Sequence, residues 1–432
     1  MLKRKIYNQL LIWKDNINKK PLLLQGSGQT GKSYIVNYFG ENEYKGRFIS
    51  INFLLQPNLK SLFDSDITGE AIVTNLKTLY KDNFTDNLKV LLFLDEIEEC
   101  PNAIIALKKL SSISTIDVIV SGTLLGIYFK NVSLLPTKYV DYLTLYPLDF
   151  EEFLWSAGFD ENIGSILNDL FISKKQVNET MHLFYMNYFK QYLIVGGMPE
   201  VVTIYQRTKD FSMVLIYQKK ILSDYKDYIF KHCTKGDKLK ARECFDSIPY
   251  QLDKDNHKFQ YKIVSKQARS ASYEGSINWL IEAGMICKCN NLSSISMPLQ
   301  QYKEKDSFRI YLIDHGLYIA MLGEETQKII YFDSEGVSKG GVYENFMANT
   351  LLRNDKQLFY YEKDSKVEVD FVTNSKDEIA VIDVKAGNQN SASLKYLINN
   401  NSTSLACKVS NNNLGVWDKY ITIPYYLAMF IK

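Results

Sequence analysis

A glycine-rich segment close to the amino terminus has the residue types and spacing that bind phosphate. It follows the apolar run Leu22–Leu24 and matches the pattern G-x-x-x-x-G-K-S/T, reading Gly26, Ser27, Gly28, Gln29, Thr30, Gly31, Lys32 and Ser33. Glycines let the backbone wrap a phosphate group, and a helix that begins at the loop directs free N–H groups towards it. The spacing predicts that Lys32 reaches the β- and γ-phosphates of ATP and that Ser33 binds Mg²⁺.

Two carboxylates complete the expected nucleotide site. The apolar run Val90–Leu94 ends at Asp95 and Glu96. We expect Asp95 to hold Mg²⁺, through water, and Glu96 to polarise the water that attacks ATP. A solvated acidic loop is the alternative, because more acidic residues follow. Thr123 ends the next apolar run, so its hydroxyl group is a candidate γ-phosphate contact, with a structural turn as the alternative.

A second set of charged residues lies near the carboxyl terminus. Asp383 and Lys385 form a D-x-K at the end of an apolar run, Asp370 lies on the preceding predicted strand with Glu368 two residues before it, and Glu344 lies on a predicted helix. Carboxylates of this kind can hold Mg²⁺ while a lysine orients water for attack on a phosphodiester. This is the residue set of PD-(D/E)XK nucleases, and we expect its members to converge. A D-x-K is common by chance, so an active and a degenerate site both stay open.

The elements that must position these residues change character along the chain. Residues 1–155 alternate short apolar strands with helical stretches, which is typical of an α/β domain with a parallel sheet. The predicted strands are Pro21–Gln25, Arg47–Phe53, Val90–Leu94, Ile116–Ser121 and Tyr142–Leu145. Residues 156–330 are mainly helical and include a helix, turn and strand that would suit a winged helix. Residues 331–432 return to strands, with Val367–Thr373 and Ile379–Lys385 as a predicted hairpin.

Composition excludes several other classes of protein. Of 432 residues, 46% are apolar, and the net charge is only +2. The chain therefore has no basic tail of the kind that indicates nucleic-acid binding. The six cysteines fit neither a disulfide framework nor a four-ligand zinc site. No signal peptide or membrane span is expected, which predicts a cytoplasmic protein. The amino terminus instead predicts an amphipathic helix through Ile6, Leu10, Trp13 and Ile17.

Several motifs together resemble the bacterial and archaeal AAA-type ATPases that carry a C-terminal domain of unknown function. The phosphate loop has Gly28 where that family has arginine. The further matching segments are Leu94–Glu98, Tyr146–Leu154, Gly196–Glu200, Ile248–Leu252, Trp279–Gly284 and Tyr311–Leu317. The resemblance implies an ATPase domain at 1–155, helical and winged-helix elements at 156–330, and a restriction-endonuclease-like α/β domain at 331–432.

Two functions follow as hypotheses. In the first, ATP binding and hydrolysis switch a C-terminal domain that interacts with nucleic acid or protein. In the second, the chain is an ATP-regulated, Mg²⁺-dependent DNA nuclease of the PD-(D/E)XK type. A third version keeps the nuclease fold without its activity. All three use ATP and Mg²⁺, and metal-dependent DNA cleavage separates the second from the third.

Overall fold

The computed structural model describes most of the chain in two compact units. The described residues are 2–64, 68–84, 88–123, 137–253, 257–334, 339–363, 367–375, 378–387, 391–400, 405–417 and 420–431. The first unit comprises Lys3–Tyr146 together with Glu282–Gly284. The second unit comprises Pro147–Ile281 and the chain from Met285 onwards, with Leu2.

The bounds of the regular elements are as follows. The strands are β1 Leu22–Gln25, β2 Phe48–Asn52, β3 Val90–Asp95, β4 Ile116–Gly122, β5 Asp141–Thr144, β6 Ile286–Leu292, β7 Lys303–Leu312, β8 Phe359–Lys363, β9 Val367–Ser375, β10 Glu378–Lys385, β11 Leu405–Ser410, β12 Gly415–Trp417 and β13 Tyr420–Pro424. The helices are α1 Ile6–Asp15, α2 Lys32–Glu43, α3 Gly69–Leu79, α4 Pro101–Leu110, α5 Phe150–Ser156, α6 Ile163–Ser173, α7 Glu179–Val195, α8 Pro199–Thr208, α9 Phe211–His232, α10 Lys238–Leu252, α11 Tyr261–Val264, α12 Ser270–Glu282, α13 His315–Leu322, α14 Glu324–Phe332, α15 Gly340–Arg353 and α16 Ala392–Asn399.

The first unit is built on a five-stranded parallel sheet in the order β2-β3-β4-β1-β5. Strands β3 and β4 are buried along their whole length, because helices cover both faces of a parallel sheet. One apolar cluster lies around Leu92 and Val120, and a second lies around Leu24 and Phe93. Each of the five predicted strands is confirmed to within one residue at either end. The α/β class predicted for this part of the chain is therefore confirmed.

The amino-terminal helix is shorter than predicted. Helix α1 buries Ile6, Leu10 and Trp13, but it ends at Asp15. The next residue, Asn16, has extended backbone angles. Ile17 consequently lies outside the helix and is 94% exposed, so its assignment to the apolar stripe was wrong.

The second unit combines helices α5–α16 with an eight-stranded mixed sheet in the order β12-β13-β11-β10-β9-β8-β6-β7. Strands β9 and β10 form the predicted antiparallel hairpin, and β11 joins β10 in parallel. Strand β6 pairs in parallel with β8 through Asn290 and Phe359. This pairing joins the region predicted as winged-helix to the strands near the carboxyl terminus. The compact units therefore show no break at residue 330, where sequence patterning suggested one.

Three of the motif-matching segments noted in the sequence meet inside the second unit. The Leu148 N–H donates to the Gly197 carbonyl at 2.7 Å, and the Gly197 N–H donates to Asp314 Oδ2 at 2.7 Å. Asp314 Oδ1 also accepts the Leu317 N–H at 3.0 Å and so caps helix α13. Asp314 is fully buried. These motif residues therefore act in packing and capping.

All six cysteines are buried and unbridged. None of the helices in the described ranges is long and apolar enough to cross a membrane.

Candidate functional site

The glycine-rich loop forms a tight backbone cradle between β1 and α2. Gly26 has a φ of 154°, and a Cβ atom there would lie 2.3 Å from the carbonyl oxygen of Leu145. Gly31 has a φ of 90° immediately before the helix begins at Lys32. Both positions use conformations that residues with side chains rarely adopt. The pattern of glycines thus sets the backbone path expected of a phosphate-binding loop.

Contacts from outside the motif hold the loop in place. Arg4 Nη1 donates to the Thr30 carbonyl at 3.1 Å, and Arg4 Nη2 donates to the Tyr146 carbonyl at 2.6 Å. Inside the loop, Thr30 Oγ1 donates to the Ser27 carbonyl at 2.9 Å. Arg4 was missed at the sequence level, because nothing in its local pattern connects it with the loop.

Lys32 lies inside the cradle with its ammonium group bonded to the loop itself. Its Nζ atom donates to the carbonyls of Gly26 and Ser27, both at 2.8 Å. It also lies 3.4 Å from Thr123 Oγ1. Burial lowers the pKa of Lys32, whereas the carboxylates that include Glu96 act in the opposite direction. Thr123, which follows β4, is therefore close enough to share a ligand with Lys32, and its contact with the γ-phosphate stays a prediction.

Asp95 is held by residues from both neighbouring strands. Asn52, its register partner on β2, donates from Nδ2 to Asp95 Oδ2 at 2.9 Å. Ser121 on β4 donates from Oγ to Asp95 Oδ1. Only 4% of Asp95 is exposed, and the two hydrogen bonds fix the orientation of its carboxylate. Asn52 also ends an apolar strand, a signal that sequence reasoning did not use.

Half-buried Glu96 and buried Glu98 lie next to Lys32. Glu96 has a left-handed φ of 52°, so the alternation of side chains along β3 does not continue through this residue. Burial, followed by the charges of Glu98 and Asp95, raises the pKa of Glu96 to about 7. Glu98 is 4% exposed, and its Oε1 atom accepts the Thr123 N–H at 2.9 Å. The alternative of a solvated acidic loop does not fit Glu98, which is buried.

These residues fit Mg-ATP as a ligand. Because the carboxyl ends of neighbouring parallel strands meet at one edge of the sheet, β1, β4 and β3 deliver the loop, Thr123 and Asp95 to the same place. The loop and the first turn of α2 can hold phosphate groups. Ser33 and Asp95 could hold Mg²⁺.

The predicted C-terminal residues are also brought together, in the second unit. Ile382 pairs with Phe371 across the hairpin, so Asp383 and Asp370 are the next residues opposite each other. Asp370 Oδ2 accepts the Val384 N–H at 2.7 Å. Lys385 Nζ lies 2.8 Å from Asp383 Oδ1. The two aspartates and the lysine thus meet at the end of the hairpin.

Glu344 reaches the same cluster from α15, but it does so through a residue that was not predicted. The guanidinium group of Arg309 on β7 places Nη1 3.1 Å from Glu344 Oε2 and 3.6 Å from Asp370 Oδ1. Its Nη2 atom forms an ion pair with Glu368. Tyr311 donates its hydroxyl group to Glu344 Oε2 at 2.8 Å. Arg309 is flanked in the sequence by the apolar residues Phe308 and Ile310. This flanking pattern was the available sign that the arginine is buried and needs an acidic partner.

The charges in this cluster are strongly coupled. Burial raises the pKa of Asp370 well above its ordinary value, and Glu344 and Asp383 act in the same direction. Burial alone would lower the pKa of Lys385, but Asp370 and Asp383 outweigh it and raise that pKa. Burial would likewise raise the pKa of Glu344, but His257 and Arg309 bring it below the ordinary range.

The cluster has no preformed arrangement of metal ligands. Within the described ranges, no three His, Cys, Asp or Glu side chains are grouped so that they could hold a metal ion. Glu344, Asp370, Asp383 and Lys385 do converge, and the Mg²⁺ role expected of them stays a prediction.

Comparison with protein families divides the chain into three matched regions. Residues 18–154 match the model of an AAA domain. Residues 186–328 match a domain of unknown function (DUF8612), and residues 339–426 match another (DUF4143). A comparison with curated proteins finds no match.

Solved structures with some similarity include proteins of archaea and of Drosophila. The Walker-type ATPase of Pyrococcus abyssi has 12% identity and a TM-score of 0.44, over 74% of this chain and 96% of that chain. The Aeropyrum pernix ORC1 protein, solved in complex with DNA, has 12% identity and a TM-score of 0.30, over 74% and 90%. Drosophila ORC bound to DNA has 13% identity and a TM-score of 0.31, over 75% and 92%.

The family match and the geometry agree on the first unit. The glycine-rich loop, Asp95, Glu96 and Thr123 all fall inside residues 18–154. Residues 18–154 therefore form a P-loop domain that matches the AAA domain model, and two regions that match domains of unknown function follow it.

Proposed function

We propose that the chain binds Mg-ATP at the loop Gly26–Ser33 and hydrolyses it, with Glu96 orienting and polarising the attacking water. The observation that carries this proposal is the meeting of Lys32, Asp95 and Glu96 at one edge of the five-stranded sheet. Phosphoryl transfer needs positioning and charge stabilisation more than covalent chemistry, and these residues supply both.

Each residue has a distinct part in the proposed reaction. Backbone N–H groups of the loop and of the first turn of α2 bind the phosphate oxygens. The ammonium group of Lys32 exchanges the carbonyls of Gly26 and Ser27 for phosphate oxygens. Ser33 and Asp95 hold Mg²⁺, which neutralises phosphate charge. The Asn52 and Ser121 contacts keep the Asp95 carboxylate pointing towards that position.

Glu96 is suited to act on water. A carboxylate with a pKa of about 7 can accept or share a proton near neutral pH, whereas an ordinary glutamate is a much weaker base. Its left-handed backbone turns it away from the strand that carries Asp95. Thr123 Oγ1 lies 3.4 Å from Lys32 Nζ, which supports a contact between Thr123 and the γ-phosphate in the proposed reaction.

Steady-state ATP hydrolysis tests this assignment directly. Glu96→Gln should bind Mg-ATP with unchanged affinity and turn it over at least about a hundredfold more slowly, because such proton transfer contributes about 10²–10⁴ to the rate. Glu99→Gln is the matched control, since Glu99 instead pairs with Lys60 at 3.4 Å. Unimpaired turnover in Glu96→Gln would refute the role, and a loss in Glu98→Gln alone would move it to Glu98.

We further propose that ATP turnover switches how the second unit engages nucleic acid or protein. Glu96→Gln, loaded with ATP, should hold the chain in the ATP-bound form. Hydrogen exchange across residues 285–431 should then differ between the ATP-loaded and ADP-loaded protein. Identical exchange in both would leave an ATPase without the proposed switch.

A Mg²⁺-dependent nuclease is the alternative function of the second unit. The convergence of Asp370, Asp383 and Lys385 at the end of a hairpin supports it. The cationic partners of the same carboxylates oppose it. Cleavage of DNA that disappears in Asp383→Ala, with ATP hydrolysis intact, would favour the nuclease.

A further inference from the structure

We propose that Arg309 takes the place of a divalent cation among the carboxylates of the second unit. The cluster is then a closed internal charge network, and the unit engages its partner without metal-dependent cleavage. The contacts, burial and connectivity of Arg309 support this inference independently of whether the first unit hydrolyses ATP.

The guanidinium group lies between Glu344 and Asp370, two of the carboxylates that were expected to hold a metal. Arg309 has no exposed surface, and its two terminal nitrogens face three acidic residues: Glu344, Glu368 and Asp370. Arginine keeps its charge in proteins, so Arg309 is a permanent cation among these groups. A second cation at the same place would meet the repulsion of a buried positive charge a few ångströms away.

The carboxylate oxygens are already engaged by other groups. Glu344 Oε1 lies 2.7 Å from His257 Nδ1, and Glu344 Oε2 accepts from Tyr311 as well as from Arg309. Asp370 Oδ2 accepts the Val384 N–H. A metal ion could therefore bind only after several of these contacts break.

Arg309 also has little freedom to leave. Its guanidinium carbon lies 4.3 Å from the centre of the Tyr360 ring, which adds a cation–π contact on the face of the group. Movement of the guanidinium group out of the cluster would leave its charge buried without partners, or would require the charge to pass apolar side chains of the strands. Either course opposes metal entry.

The network has a structural use that explains its presence. It links β7, which carries Arg309, to Glu344 on α15 and to Asp370 on β9. Removing one partner of a buried ion pair leaves an uncompensated charge, so such networks hold elements together once they exist. The carboxylates thus fix the register of the sheet against the helix.

Manganese binding by the full-length protein is the first test. The wild-type chain and Asp383→Asn, both without nucleotide, should bind the same number of Mn²⁺ ions in calorimetric titration, because the comparison cancels any Mn²⁺ held near Asp95. Neither should cleave DNA with Mn²⁺ or Mg²⁺. Loss of a bound Mn²⁺ in Asp383→Asn, or cleavage of DNA that depends on Asp383, would overturn the proposal.

Removal of Arg309 is the second test. Arg309→Met should lower the thermal midpoint of the second unit by about 10 °C, because it leaves buried carboxylates unpaired. Glu344→Gln in the same chain should restore part of that loss, which a packing role would not do. Mn²⁺ should raise the midpoint of Arg309→Met and leave the wild type unchanged.

Additive losses in the double variant, or a Mn²⁺-induced rise in the thermal midpoint of the second unit in the wild type, would contradict the internal-cation role. If Arg309→Met does not fold, the comparison of the wild type with Asp383→Asn decides the question alone, since both keep Arg309.

Discussion

Mild acid should weaken the second unit through one buried side chain, His315. This residue begins α13, has no exposed surface, and places Nε2 3.1 Å from the Tyr192 carbonyl oxygen. Burial lowers its pKa from 6.5 to about 4, Asp314 acts in the opposite direction, and Arg353 adds to the lowering. The imidazole is therefore neutral in the folded protein at pH values where an unfolded chain would protonate it.

The size and the sign of the effect follow from this difference in pKa. Above pH 6.5 the group is neutral in both states and contributes no pH dependence. As the pH falls from 6.5 towards 4, the unfolded chain gains a proton that the folded chain excludes, so the free energy of unfolding decreases. At about 1.4 kcal/mol per pH unit, the loss reaches about 2 kcal/mol at pH 5 and about 3 kcal/mol at pH 4.

Native-state hydrogen exchange of peptides that cover α13 measures this loss locally. After correction for the effect of pH on intrinsic exchange, protection in the wild type should fall between pH 7.5 and pH 5 by about 2 kcal/mol more than in His315→Gln. His232→Gln, at the carboxyl end of α9, controls for loss of a histidine elsewhere in the unit. Parallel pH profiles for the wild type and His315→Gln would refute the reasoning, because they would mean that burial does not hold the imidazole neutral.

Three further predictions concern the loop and the capping residue. Lys32→Ala should abolish tight ATP binding, measured by fluorescent-nucleotide titration, because phosphate charge loses its ammonium partner; affinity equal to the wild type would disprove the assignment of the loop. Gly26→Ala should also lose ATP binding while the sheet stays folded, because its Cβ would lie 2.3 Å from the Leu145 carbonyl oxygen; normal binding would show that the loop can shift at no cost. Asp314→Ala should lower the free energy of unfolding by about 2–4 kcal/mol in urea titrations, since it removes a helix cap and the acceptor of the Gly197 N–H; a change below about 0.5 kcal/mol would mean that water replaces both contacts.

The first unit could be predicted closely because its signals are local. The loop Gly26–Ser33 is contiguous, and each strand that delivers a functional residue is a short apolar run. The supporting residues were harder to predict. Arg4 and Asn52 act on the loop and on Asp95 across long stretches of chain, through a fold that must be known before the contact can be seen.

The C-terminal cluster could be predicted from the sequence only in part. Strand alternation and the D-x-K pattern were enough to predict that Asp370, Asp383 and Lys385 converge. They could not predict the partner, because Arg309 lies far away in sequence and reaches the site only through the pairing of β6 with β8. The chemistry expected of the carboxylates depends on that one residue.

That same pairing sets how the chain can be divided. The two regions of unknown function, residues 186–328 and 339–426, share one continuous ladder of hydrogen bonds. A cut between them would separate β6 from β8 and Arg309 from its carboxylate partners. Each fragment alone would then expose an unpaired edge strand, which favours aggregation, and buried charges without their partners. Fragment complementation tests this consequence. The two fragments should be insoluble or unfolded when they are expressed separately, and they should assemble into a folded protein when they are expressed together. The chain after α14 is therefore a position at which the protein can be divided into two fragments that fold only together. Truncation at the same position would leave neither fragment folded.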